Sequence, residues 1–129
     1  IGVGDRGYAR IFRELVWPLT GRFDPDLILV SAGYDGHWDD PLASMNLSIT
    51  GYATLERALI EMADQLCDGR VIFTLEGGYH LNALAYGVLN AFYALLGEDD
   101  VVDPLGPSPR SEPSIDALIE ELKGLHNLN

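Results

Sequence analysis

Apolar residues recur along this chain in two rhythms, and the rhythms alternate. Tyr8, Ile11, Phe12, Leu15, Val16 and Leu19 follow Asp5 at helical intervals. The spacing predicts a first helix with Asp5 as its cap and Pro18 marking its last turn or an irregularity in it. Leu27-Ile28-Leu29-Val30 comes next, after Asp24-Pro25-Asp26, as an unbroken apolar run. Continuous β-branched and leucine residues without polar alternation predict a strand buried on both faces, as in parallel sheets. A loop from Gly33 to Ser48 leads to a second helical pattern, Tyr52, Leu55, Leu59, Met62, Ala63 and Leu66, ending before Gly69. Thr50 is the expected cap of this helix, and Ile49 the residue that packs back on it. A second buried strand, Val71 to Leu75, precedes a third helix whose predicted buried stripe is Leu81, Leu84, Ala85, Val88, Phe92 and Leu95, stopping at Gly97. The remainder is a connector with Pro104, Pro107, Pro109 and Pro113, then a short amphipathic helix bearing Ile115, Leu118, Ile119, Leu122 and Leu125.

A strand, a crossover of some forty residues containing a helix, and a second strand make a right-handed βαβ unit in a parallel sheet. Ligands of such sheets bind beyond the carboxyl ends of the strands. Two strands leave two open edges, and sheets of this kind ordinarily have several more. The expectation is therefore one α/β unit, residues 1–97, with residues 98–129 as its connector and terminal helix, whose sheet edges are covered by a missing N-terminal half or by self-association.

Composition narrows the classes. A chain of 129 residues with 47% hydrophobic content is ordinary for a globular domain. Its net charge of -12 offers no basic stripe for phosphates, which argues against a nucleic-acid partner. The same charge draws in cations, or simply solvates the surface. The single cysteine, Cys67, can form neither an intrachain disulfide nor a cysteine-based zinc site, and the cytoplasm is the expected location. No apolar stretch approaches the roughly 20 residues of a membrane span, so no membrane partner is expected. The start at Ile1 carries no signal-peptide pattern and no initiator methionine, which suggests a beginning inside a longer protein.

The chemistry concentrates where the two strands end. The first ends in Ser31-Ala32-Gly33-Tyr34-Asp35-Gly36-His37, running on to Asp40-Pro41-Leu42; the second ends in Glu76-Gly77-Gly78-Tyr79. Taken alone, an aspartate beside glycine is a turn former, and an aromatic after Gly-Gly plugs a core or a helix entrance. A carboxylate is also a competent zinc ligand, and a phenol is a proton donor at neutral pH. Together the two segments resemble the C-terminal half of the zinc-dependent histone deacetylase family, which includes acetoin-utilization proteins and acetylpolyamine amidohydrolases. The resemblance runs from about Ile1 to Gly97.

It implies a three-layer, parallel-sheet arginase/deacetylase-like α/β fold, of which this chain supplies only a C-terminal βαβα portion. It implies that Asp35 is one of three zinc ligands and that Tyr79 hydrogen-bonds the substrate carbonyl. Gly78, with Gly77, lets the backbone pass close to the substrate. Leu42 occupies the position that lines the active-site mouth, where polyamine-selecting relatives can hold an acidic residue. Leucine there favours acetyl-lysine or a small acetylated amine, although an ordinary core contact is an equal alternative. The family's zinc-binding Asp-x-His and tandem histidines have no counterpart among these residues, so zinc is expected in the complete parent protein and absent from this chain alone. His37 and His80 are expected in loop or supporting roles, His126 in solvent, and Asp39-Asp40-Pro41 in a turn that orders the loop. Three readings stay open: part of a zinc amidohydrolase, an α/β piece inactive by itself, or a noncatalytic interaction module assembling through its sheet edges.

Overall fold

The computed structural model describes residues 1–128. Its elements are helix α1 (Asp5–Ile11), a π-helical segment (Phe12–Val16), helix α2 (Trp17–Phe23), strand β1 (Ile28–Ala32), helix α3 (Ile49–Cys67), strand β2 (Val71–Leu75), helix α4 (Leu81–Leu96) and helix α5 (Asp116–His126). The first predicted helix is thus one run with a widened centre. Pro18 cannot donate a backbone hydrogen bond, and its ring crowds the preceding turn; the π-helical segment immediately before it relieves that crowding.

β1 and β2 pair in parallel, Ile28 with Val71 through Ala32 with Leu75. β1 begins one residue after the predicted start and extends through Ser31 and Ala32. The expectation of burial on both faces is corrected. Ile28, Val30, Val71 and Phe73 are partly covered, whereas Leu29 is 68% exposed and Ile72 51% exposed on the opposite face. Phe12 of the π segment, Leu55 and Leu59 of α3, and Val88 and Phe92 of α4 all border the same strand residues, Ala32 and Phe73 among them. Helices therefore lie on one side of the sheet, and the other side is bare among the described residues. This is an α/β unit with a two-stranded parallel sheet, as the spacing predicts.

Two predicted caps are also corrected. Asp5 lies inside α1, whose cap position is Gly4, and its carboxylate instead accepts from the Ser48 backbone N–H (2.8 Å) and hydroxyl (2.6 Å). Ser48, not Thr50, caps α3 by accepting from the Gly51 N–H. Ile49 becomes the first residue of α3 and is fully buried. Thr50 donates to Asp103 through both its N–H and its hydroxyl. Those bonds pin the Pro-rich connector along α3, and Arg57 adds two more to the carbonyls of Glu98 and Asp100.

α3 buries Leu55, Met62 and Ala63 of its predicted stripe. α4 does not bury its own. Its inner face is Ala83, Gly87, Asn90, Ala91 and Ala94, small residues that allow close approach to α3, while Leu81 (77%) and Phe92 (60%) are exposed. At the far end, Ile115 and Ile119 pack on Leu15, with Leu122 against them, whereas Leu118 and Leu125 remain exposed. Lys123 donates to Glu14 (2.6 Å), and Arg10 pairs with Asp116, so α5 is tied to the first helical run by charge as well as by apolar contact.

Candidate functional site

The loops leaving β1 and β2 are joined at once. The Tyr34 N–H donates to the Gly77 carbonyl (2.8 Å), and the Glu76 N–H donates to the Ala32 carbonyl (3.0 Å). Asp35 follows and lays its carboxylate over the second loop. A Cβ added at Gly77 would stand 3.0 Å from the Asp35 Cγ, and one at Gly33 would stand 2.8 Å from its Oδ1. Glycine at both places leaves the space that the carboxylate occupies. Gly78 adopts φ +142°, a conformation open to glycine, with its inner side toward Tyr34 and Leu84.

Asp40 ties the two loops together through both of its carboxylate oxygens. Its Oδ1 accepts from the N–H groups of Leu42 (2.9 Å) and Ala43 (3.3 Å). Its Oδ2 accepts from those of Tyr79 (2.8 Å) and His80 (3.3 Å). Burial pushes the Asp40 carboxyl up, but these four donors outweigh it and hold the group below the usual carboxylate range. The Asp39-Asp40-Pro41 segment thus turns the first loop, as expected, and also carries the backbone of Tyr79, which local sequence does not reveal. Tyr79 stands 54% exposed at the end of this bracket. Leu42 is 71% exposed and makes no core contact among the described residues.

The histidines support the loops. His37 is fully buried, and its Nδ1 accepts from the Asp39 N–H (3.2 Å). Burial, aided by the neighbouring His80, moves its pKa below the ordinary value, favouring the neutral ring. His80 caps α4 by accepting from the Ala83 N–H, and its Nε2 approaches Asp39 (3.4 Å). That capping role had no recognisable signal, because histidine is not among the common cap residues. His126 is exposed, as expected.

The residues that the sequence marks all lie on the two loops beyond the carboxyl ends of the strands: Asp35 packs over Gly77 beside Gly78, and Asp40 joins the backbones of Leu42 and Tyr79. They do not constitute a zinc site by themselves. Among the described residues no group of three histidine, cysteine or acidic side chains is placed to hold a metal ion. Asp35 is a single carboxylate, which does not fit a tightly held zinc without further ligands.

Comparisons with known proteins place this geometry in context. The histone deacetylase domain model matches residues 1–95. The chain is 45% identical over 100 residues to "Histone deacetylase 14, chloroplastic" of Arabidopsis thaliana, covering 78% of this chain and 24% of that protein. It is 40% identical over 131 residues to "Histone deacetylase 10, chloroplastic" of Oryza sativa subsp. japonica, covering 98% of this chain and 30% of that protein. The solved structure of the HDA15 HD domain superposes with a TM-score of 0.73 at 30% identity, covering 99% of this chain and 31% of that one. The chain thus spans less than a third of the length of these proteins.

Proposed function

The chain belongs to the histone deacetylase family, and from that premise we propose that its two strand-end loops supply part of a site that hydrolyses an N-acetyl amide, in acetyl-lysine or a small acetylated amine. The observation that carries this reading is that the two strand-end loops are held together twice, by the Asp35 carboxylate packed over Gly77 and by the Asp40 carboxylate accepting from the Tyr79 backbone N–H. In it the Tyr79 phenol donates to the substrate carbonyl oxygen as negative charge builds there during attack by water. Such a donor stabilises the transition state more than the ground state. Asp40 fixes the backbone from which the ring projects, and the φ of Gly78 sets its direction. Asp35 offers one ligand to a zinc ion whose other ligands this chain does not supply.

Leu42 stands exposed beside the same bracket and carries no charge to select a polycation. That supports an acyl-lysine or small acylated amine over a polyamine, while the net charge of -12 favours cationic substrates generally. A second reading, a noncatalytic module that assembles through its sheet edges, is favoured by the bare face around Leu29 and Ile72.

Two expected results test the catalytic reading. The 129-residue chain alone should purify without stoichiometric zinc and without deacetylase activity, because one carboxylate cannot hold the ion. Tight zinc at Asp35 in the isolated chain would contradict this. In an assembly that completes the site, Tyr79→Phe should keep fold and metal but lower kcat by roughly a hundredfold. Asp35→Ala should instead lose the metal. Near-normal turnover in the phenylalanine variant would remove Tyr79 from the chemistry.

A further inference from the structure

Tyr34, the residue before Asp35, is held from several directions. It is 3% exposed. Its N–H donates to the Gly77 carbonyl, and its own carbonyl accepts from the His37 N–H (3.2 Å). Its ring lies so close to Gly87 of α4 that no side chain fits there, and it stands 5.1 Å from the ring of Tyr52. Its hydroxyl donates to Glu56 Oε1 (2.8 Å). Glu56 is a carboxyl inside α3, 5% exposed, with its second oxygen buried and without a partner. A buried acidic side chain with half of its hydrogen-bonding capacity unmet is costly. A phenylalanine at position 34 opposite an apolar residue at position 56 would fill the same space without that cost. The hydroxyl and the carboxyl therefore act as a pair that locks one ring orientation.

We propose that Glu56 and Tyr34 form a positioning pair for Asp35: α3, through Glu56, fixes the Tyr34 ring, and the Tyr34 backbone fixes how the next residue lays its carboxylate over Gly77. The pair touches neither substrate nor metal and acts only through the loop. The inference rests on the role given to Asp35 above, but its test needs no catalysis. The burial that lifts the Glu56 pKa to about 7 is consistent with a neutral carboxyl at mildly acidic pH, which still accepts from the hydroxyl.

The test is amide hydrogen exchange on the full 129-residue chain, as wild type and as Tyr34→Phe, Glu56→Leu, Glu56→Gln and the Tyr34→Phe/Glu56→Leu double variant. The Tyr34 amide reports the loop, and the Met62 and Ala63 amides inside α3 report overall stability. Tyr34→Phe and Glu56→Leu should each speed exchange at Tyr34 by about tenfold, the scale of one lost hydrogen bond to an acidic group. The double variant should be no faster than either single one, and Glu56→Gln, which keeps a carbonyl acceptor, should remain close to wild type. Any change at Met62 and Ala63 measures the shift in overall stability, and the tenfold effect is the acceleration at Tyr34 that remains beyond it. Unaltered exchange at Tyr34 in Tyr34→Phe, equal acceleration at all amides, or a Glu56→Gln variant as fast as Glu56→Leu would overturn the proposal. Absence of deacetylase activity in a completed wild-type assembly would remove the catalytic reading without moving these exchange rates, so the two fail separately.

Discussion

α3 and α4 pack against each other and border the same strands, yet only α3 hides its large apolar side chains. α3 buries Ile49, Leu55 and Met62; α4 turns alanines and a glycine inward and leaves Leu81, Phe92, Leu95 and Leu96 exposed. Between α4 and the sheet lies an open apolar groove of about 290 Å³, lined by Phe73, Leu75, Val88, Phe92 and Leu95. The side built from α1, α3 and α5 is a finished interior. The side built from α4 has the composition of an interior and the exposure of a surface, and the bare sheet face around Leu29 and Ile72, on the opposite side of the sheet from both helices, shares that character. The candidate site lies beside α4, with its glycine turn packed on Leu84.

The widest separation between the two sides should come from truncating one large residue on each. Met62→Ala, at 1% exposure, should destabilise the isolated chain by about 3 kcal/mol, through lost burial and the cavity left behind. Phe92→Ala should cost less than about 1 kcal/mol in the same chain, because that ring is already in water. Urea unfolding of both variants measures the difference. Equal losses would mean that α4 is as well packed as α3.

A smaller effect separates the sides by pH. Glu56 lies on the finished side, and burial lifts its pKa to about 7 from an unfolded value near 4.3. The folded chain then holds a proton that the unfolded chain has released, so stability falls as pH rises. The stability is fully present below about pH 4 and is lost as pH climbs through about 7, on the order of 3 to 4 kcal/mol in all. Glu56→Gln should remove this slope. Unfolding curves at about pH 5 and about pH 8 for both proteins check it, and parallel pH dependence in the two would contradict the burial of that carboxyl.

The sequence made the order of elements legible because apolar periodicity needs only local spacing, and it made Asp35 and Tyr79 conspicuous because both follow strands and stand beside glycine. It concealed whatever depends on a partner distant in the chain. Ser48 and Thr50 are both good cap residues, and the choice between them is made by Asp5 arriving from another helix. α4 is apolar around most of its circumference, so spacing alone could not say which face meets α3. Ser31 and Ala32 end the apolar run but not the strand, since register with Thr74 and Leu75 carries the pairing onward. Asp40 reads as a turn residue, and its hold on Tyr79 crosses 39 positions. The Tyr34–Glu56 bond joins two residues with no shared pattern.

The bare sheet face around Leu29 and Ile72 is apolar enough to be an interior, and a second copy of the chain is expected to cover it. The most direct measurement is the mass of the isolated chain in solution by light scattering across a wide concentration range. The claim predicts a dimer or larger species, with the contact at a sheet edge or across the bare face. A stable monomer at high concentration, with amides of both β1 and β2 strongly protected from exchange, would contradict it and show that the helices and the Pro-rich segment close this sheet unaided.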